Sequence, residues 1–85
     1  MENELFEKTV GERMRYLRNS RNLSAAYLAD ALDISVKHYR DIENDRALPE
    51  LVVAVKFAMI FGISVNELVT GVKDYEEDDD KNPLL

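Results

Sequence analysis

The chain has 85 residues, the length of one small domain, and 46% of them are hydrophobic, which is enough for a packed core. It contains no cysteine, which excludes a disulfide framework and a thiolate metal site, and it has no apolar run long enough to span a membrane. The formal charge of −6 is concentrated at one end, because residues 74–85 hold six carboxylates and one lysine, whereas residues 1–73 hold 11 acidic and 10 basic residues. The net charge therefore does not exclude a nucleic-acid partner. The first ten residues are acidic and lack the pattern of a signal peptide, so we expect a cytoplasmic protein.

The first predicted helix extends from about Phe6 to Ser20. Its apolar residues recur at helical spacing, at Val10, Met14 and Leu17. Arginines surround this apolar face, and those that are candidates for phosphate contacts are Arg13, Arg15 and Arg21.

Residues 24–50 predict two short helices joined by a tight turn. Ser24 and Ser35 are the expected N-caps, because a serine hydroxyl accepts a hydrogen bond from an otherwise unpaired backbone N–H. Asp33 lies between the helices, and aspartate tolerates the left-handed conformation that such a turn requires. The second helix carries a basic outer face and ends near Asn44-Asp45. This layout is that of a helix-turn-helix, whose second helix enters the major groove of DNA.

A fourth helix is predicted after Pro49-Glu50, extending to Phe61, with Gly62 as its C-cap. Ser64 and Glu67 predict a capping box for a fifth helix that ends near Val69. No strand pattern competes, so we predict an all-α, compact five-helix domain over residues 1–73. Residues 74–85 form an acidic tail with the composition of a disordered segment.

The fourth helix has apolar residues on two faces. We assign its core stripe to Leu51, Ala54, Val55, Ala58 and Phe61. The second stripe, interrupted by Lys56, consists of Val52, Val53, Met59, Ile60 and Ile63. An exposed apolar patch of this size usually marks an interface, so we predict a homodimer built on the second stripe. The alternative is that helix five or the N-terminal arm covers it.

Several short pieces of the chain together resemble the lambda-repressor/Cro-like, or XRE-type, helix-turn-helix family. The resemblance covers residues 10–70 and is carried by the pieces Gly11–Arg18, Leu23-Ser24, Leu28-Ala29, Ile42-Glu43, Pro49, Phe57-Ala58 and Gly62–Leu68. It implies a compact five-helix domain that binds operator DNA, usually as a dimer, to control transcription.

The resemblance also implies roles for individual residues. It assigns Arg18 and Glu43 to an internal ion pair between the first and third helices. With the Ser35 cap included, the predicted DNA-contacting residues are Ser24, Ser35, Val36, Lys37, His38, Arg40, Asp41, Asn44 and Arg46. The chain departs from the family at Ala25, where glutamine is usual, and at Asp33 and Asp45, where glycine is common. Asp45 would place a negative charge near a loop that faces phosphate, which lowers the expected affinity.

Some of these residues have a simpler explanation. Lys37, His38 and Arg40 could form an ordinary solvated helix face, and Tyr39 is better assigned to the core than to base stacking. His38 has no partner at the spacing of metal ligands, so we predict no metal site and no cofactor.

We therefore predict a sequence-specific DNA-binding transcriptional regulator, in the first instance a repressor, that inserts residues 35–44 into the major groove of double-stranded DNA. The alternative is a helix-turn-helix fold used as a protein-interaction module, such as an antirepressor or an antitoxin-like partner, which the near-neutral domain and Ala25 favour. No catalytic triad, metal cluster or phosphate-cradling loop is present in the sequence, so an enzyme is not predicted. The tail serves either solubility or competition with DNA for the basic surface.

Overall fold

The computed structural model describes residues 8–73, which contain five α-helices and no strand. The helices are α1 (Val10–Ser20), α2 (Ala25–Leu32), α3 (Val36–Glu43), α4 (Leu51–Phe61) and α5 (Val65–Thr70). The predicted all-α, five-helix fold is confirmed. The acidic tail, residues 74–85, lies outside the described residues.

Polar side chains fix where four of the five helices begin. Ser24, Ser35 and Ser64 each accept a hydrogen bond from the backbone N–H three residues later, as predicted for N-caps. The prediction that α1 begins near Phe6 is wrong, because Thr9 has an extended backbone and α1 begins at Val10. Thr9 and Glu12 form a reciprocal capping box, which sets the N-terminus of α1.

Left-handed residues end the helices and turn the chain. Asp33 has φ 62° and ψ 42°, which confirms its predicted conformation, and its N–H donates to the carbonyls of Ala29 and Asp30 at the end of α2. Asp45 and Gly62 likewise have positive φ, of 64° and 70°, after α3 and α4. The turn between α2 and α3 is therefore only three residues long, which sets α3 across α2 at the surface of the domain.

A continuous core lies between the helices. Its largest fully buried side chains are Tyr39, Phe57, Met14, Leu28, Leu32, Ile42 and Leu68. Helices α1 and α3 approach so closely that a Cβ atom on Gly11 would lie 2.2 Å from the carbonyl oxygen of Ile42. Burial of Tyr39 confirms that this residue belongs to the core. The back of α3 is thus packed against α1, and its opposite face points away from the domain.

Helix α4 is rotated relative to the prediction. Leu51 is 73% exposed and Val55 is 36% exposed, so their assignment to the core is wrong. Val53 is only 5% exposed and packs in the core, and Ile60 and Ile63 are partly buried against it, so these three do not form an exposed stripe. Ten of the eleven α4 residues are apolar, and hydrophobic periodicity cannot fix the rotation of such a helix.

The exposed apolar side chains at α4 form a different set, which we name the α4 patch. It consists of Leu48, Leu51, Val52, Val55 and Met59, of which Val52 and Met59 belonged to the predicted stripe. A neighbouring groove of about 540 Å³ continues the apolar surface toward α5, and its lining includes Leu48, Leu51, Val65 and Val69. The domain therefore exposes one extended apolar surface on a side that its own described helices do not cover.

Candidate nucleic-acid interface

The start of α3 is exposed and well ordered by its cap. The Ser35 hydroxyl accepts a hydrogen bond from the His38 N–H at 3.0 Å, and Ser24 makes the equivalent bond with the Tyr27 N–H at 2.9 Å. Both serines lie at the surface, so the first turns of α2 and α3 are accessible. Backbone N–H groups at a helix N-terminus favour anions such as phosphate.

Six of the predicted residues meet along one side of α3, in a shallow groove of about 460 Å³ that we name the α3 groove. It is lined by Val36, Lys37, Arg40, Asp41, Asn44 and Arg46. Three of these side chains are basic and one is acidic. The structure thus brings together residues from α3 and from the loop after it, and it presents them on the face opposite the core.

A salt-bridge network links the charged residues of the α3 groove. Lys37 Nζ lies 3.1 Å from one carboxylate oxygen of Asp41, and Arg46 Nη1 lies 3.4 Å from the other. The Arg46 N–H also donates to the Asp41 carbonyl at 2.8 Å, which folds the loop back over α3. The hydrogen bond from Lys37 holds the pKa of the Asp41 carboxyl below its ordinary value, so Asp41 is ionised at neutral pH.

A buried ion pair fixes α3 to α1. Arg18 Nε donates to Glu43 Oε2 at 2.8 Å, and its Nη2 donates to Oε1 at 3.1 Å, which gives the two-pronged geometry that guanidinium and carboxylate groups favour. Arg18 also donates to the Leu23 carbonyl at 2.8 Å, and Arg15 Nε lies 3.4 Å from Glu43. Burial is the largest single influence on the pKa of Glu43 and acts to raise it, but the hydrogen bond and charge of Arg18 and the other groups around the carboxylate together outweigh burial and lower the pKa. The pair sets the angle at which α3 projects from the domain.

The Tyr39 side chain packs beside this ion pair. Its hydroxyl is buried and makes no hydrogen bond of good geometry. Burial and the nearby Glu43 carboxylate raise the pKa of Tyr39, so the phenol stays neutral. Tyr39 therefore supports the ion pair by excluding water from it.

His38 has a carboxylate neighbour that its sequence spacing did not reveal. Its Nε2 lies 3.0 and 3.1 Å from the two carboxylate oxygens of Glu50, the residue that precedes α4. The hydrogen bond from His38 lowers the pKa of Glu50. Within residues 8–73, no group of three or more His, Cys, Asp or Glu side chains is placed to hold a metal ion. His38 is thus held toward the α3–α4 loop, at the margin of the α3 groove.

The loop after α3 differs from expectation at Asp45. Its carboxylate accepts a hydrogen bond from the Thr9 hydroxyl at 2.8 Å, at the start of α1. The negative charge that was expected near phosphate therefore lies at a helix N-terminus, where the helix dipole favours it. The Asn44 side-chain oxygen accepts a hydrogen bond from Arg15. The cation that this loop exposes is Arg46.

Two of the candidate phosphate-binding arginines are structural. Arg13 is only 3% exposed and donates to the carbonyls of Lys8, Leu68 and Val69, so its assignment to phosphate binding is wrong. Arg21 donates to the carbonyls of Ile60 and Phe61 at the end of α4, and its guanidinium stacks 4.5 Å from the Phe61 ring centre. Arginine spacing alone could not distinguish these roles from surface charge, because the bonding partners are distant in sequence.

Sequence comparison identifies this arrangement of helices. The sequence model of the helix-turn-helix family matches residues 14–68, which include α2, the turn and α3. The chain belongs to the XRE-type helix-turn-helix family. This family consists of DNA-binding regulator domains and is not an enzyme family. Among residues 8–73, no helix is long and apolar enough to cross a membrane.

Individual proteins show the same similarity. The chain is 39% identical over 64 residues to the HTH-type transcriptional regulator DdrOP3 of Deinococcus deserti and 36% identical over 61 residues to the immunity repressor protein of Bacillus phage phi105. The matches cover 75% and 72% of this chain but 50% and 42% of those proteins. The fold is also that of the P22 c2 repressor, solved with a synthetic operator, at a TM-score of 0.72 and 20% identity over 76% of this chain and 98% of the other.

Proposed function

We propose that the protein is a sequence-specific DNA-binding transcriptional regulator, most simply a repressor, that inserts residues 35–44 into the major groove. The observation that carries the proposal is the α3 groove, where Lys37, Arg40 and Arg46 surround an exposed helix whose back is fixed to α1. Two similar proteins are named as a transcriptional regulator and an immunity repressor, which supports the same role. The cytoplasmic location expected from the sequence remains a prediction.

The double variant Lys37→Ala/Arg40→Ala tests this proposal. Selection from a random duplex library with the unaltered protein gives its preferred site, and binding of both proteins to that site is then measured by fluorescence anisotropy at several salt concentrations. We expect the variant to lose binding while its helicity stays unchanged. If each residue contacts a phosphate, the slope of log K against log salt becomes shallower by about 0.9 per lost contact.

Lys73 supplies the matched control, because it is an exposed lysine after α5, outside both the α3 groove and the α4 patch. Lys73→Ala should bind the selected site almost as well as the unaltered protein. Equal affinity of the double variant and the control would exclude α3 as the DNA-binding element.

We also propose that the protein forms a homodimer through the α4 patch. Five exposed apolar side chains on one side of a small domain exceed the scattered surface residues normal for a monomer. Dimers of helix-turn-helix proteins bind two half-sites about 34–36 Å apart, so a selected site with two inverted halves would support this arrangement.

Val52→Glu/Met59→Glu is the appropriate test of the dimer, because both residues are exposed and their substitution leaves the core intact. We expect the unaltered protein to sediment as a dimer at micromolar concentration and the variant as a monomer of unchanged helicity, whose melting temperature, unlike that of the dimer, does not depend on protein concentration. A monomeric unaltered protein at high concentration would refute the dimer, and a variant that still dimerises would place the interface elsewhere.

The α4 patch also favours a second candidate function, in which the domain acts mainly as a protein-interaction module of the antirepressor or antitoxin-like kind. The partial neutralisation of the α3 groove by Asp41 is consistent with this candidate. Two results together would favour this candidate over the regulator. The unaltered protein would select no DNA sequence, and Val52→Glu/Met59→Glu would no longer bind a partner protein that the unaltered protein binds.

A further inference from the structure

The α3 groove holds one carboxylate among its cations. Asp41 is the only acidic residue among the six that line it, whereas Lys37, Arg40 and Arg46 supply three positive charges. A surface that only needed to attract phosphate would gain nothing from a negative charge at its centre. The position of Asp41 therefore requires an explanation beyond electrostatic attraction.

The geometry places the carboxylate at the floor of the groove and two cations at its rim. The Asp41 side chain is 23% exposed, whereas those of Lys37 and Arg46 are 86% and 70% exposed. Both cations turn inward onto the same carboxylate, at 3.1 and 3.4 Å. A phosphate that binds either cation must compete with Asp41 for it and must also approach a like charge.

This competition acts on every DNA sequence. Non-specific binding comes almost entirely from cations that neutralise phosphates. By holding Lys37 and Arg46, Asp41 lowers the affinity for DNA in general. This loss of affinity is offset only at a DNA sequence that offers a hydrogen-bond donor to the Asp41 carboxylate.

The major groove offers such a donor at cytosine. An ionised carboxylate only accepts hydrogen bonds, and the N4 amine of cytosine is a donor in the major groove. Guanine presents two acceptors there and thymine an acceptor and a methyl group, all unfavourable to a carboxylate. Adenine places its N7 acceptor beside its N6 amine, and this pair suits an amide side chain better than a carboxylate.

We propose that Asp41 is a specificity-determining residue, which suppresses binding to DNA in general and accepts a hydrogen bond from a cytosine amine at one position of the preferred site. The inference rests on the proposed function and specifies how the same groove discriminates between sequences.

The test uses Asp41→Asn, which keeps the shape of the side chain and removes its charge. Affinities are measured for the site selected by the unaltered protein, for single-base-pair replacements of that site, and for an unrelated duplex. We expect the variant to bind the unrelated duplex more tightly, with a salt slope steeper by up to about 1.8, because two cations are released to phosphates. At one cytosine position we expect its discrimination to fall by about 5- to 150-fold and its preference to move toward adenine, which an amide reads.

Asp30→Asn is the matched control, since it removes the same charge from an exposed position on α2 outside the α3 groove. It should leave base preference unchanged and raise the affinity for the unrelated duplex less than Asp41→Asn does. Circular dichroism and melting temperature check that both variants fold.

The outcomes separate this inference from the proposed function. If the unaltered protein selects a site and Asp41→Asn retains the same preference at every position, the inference is overturned and the regulator remains. An equal effect of the two variants on the unrelated duplex also overturns it, because the effect would then be one of net charge. If the unaltered protein selects no sequence, the proposed function and the inference fail together.

Discussion

Replacement of Glu43 by alanine should destabilise the domain strongly, because it removes the carboxylate of the buried ion pair and leaves the Arg18 guanidinium without its counter-charge. Removal of one partner from such a pair costs about 3–5 kcal/mol. The Arg18 side chain is 16% exposed and keeps its hydrogen bond to the Leu23 carbonyl, so water and backbone compensate it in part. We therefore expect a loss near the lower limit, about 3 kcal/mol, which corresponds to a fall of about 12–24 °C in melting temperature for a domain of this size.

Urea unfolding followed by circular dichroism measures this loss, and the variant Arg18→Met/Glu43→Leu is the informative comparison. Replacement of both charges by apolar groups leaves no uncompensated charge, so the double variant should lose less than Glu43→Ala alone. A loss below about 1 kcal/mol in Glu43→Ala would refute the reasoning, since surface pairs contribute that little. If the loss in the double variant equals the sum of the losses in Arg18→Met and Glu43→Leu, the two residues contribute independently and not through the pair.

The same pair predicts how stability depends on pH. The pKa of Glu43 is lower in the folded state than in the unfolded chain, where a glutamate titrates near about 4.3. Its contribution is therefore fully present above that value and is lost as the pH falls through the lower, folded-state pKa. We expect the free energy of unfolding of both proteins to decrease as the pH falls below about 4.3. The decrease should be less steep in Glu43→Gln than in the unaltered protein.

Three further changes test other parts of the structure. Gly11→Ala should cost about 1–3 kcal/mol in urea unfolding, because its Cβ would lie 2.2 Å from the rigid Ile42 carbonyl, and a stability equal to the parent would show that α1 and α3 are not so close. Thr9→Val should cost about 1 kcal/mol through loss of its cap and of its bond to Asp45, whereas Thr9→Ser should retain both. A chain that ends at Lys73 should bind DNA more tightly at low salt, with an advantage that shrinks as the Debye length falls to about 10 Å near 0.1 M, and equal affinity with and without the tail would leave it a role in solubility.

Local chemistry in the sequence predicted the fold well. Asp33, Ser35 and Gly62 act through their own backbone or the next few residues, so their effects could be inferred without knowledge of the rest of the chain. The true start of α1 was also encoded locally, in the Thr9–Glu12 capping box, but the apolar spacing that continues to Phe6 concealed it.

Contacts between distant residues could not be predicted in the same way. The rotation of α4 depends on how Val53 and Phe57 fit against other helices, since almost every position of that helix is apolar. The hydrogen bonds from Arg13 to α5 and from Thr9 to Asp45 join residues 55 and 36 positions apart, and no periodic pattern in the sequence indicates them. Six of the nine residues predicted to contact DNA line the α3 groove, but the sequence did not predict that Asp41 holds two of the cations.

Arg13 has a mechanical consequence for the domain. Its guanidinium binds the carbonyl of Lys8 before α1 and those of Leu68 and Val69 in α5, so the two helices at the boundaries of the fold are fastened side by side. The backbone at the start of α1 and the backbone of α5 therefore lie within reach of one side chain. A lysine lacks the planar fork of guanidinium donors, so Arg13→Lys should loosen the contact between α1 and α5.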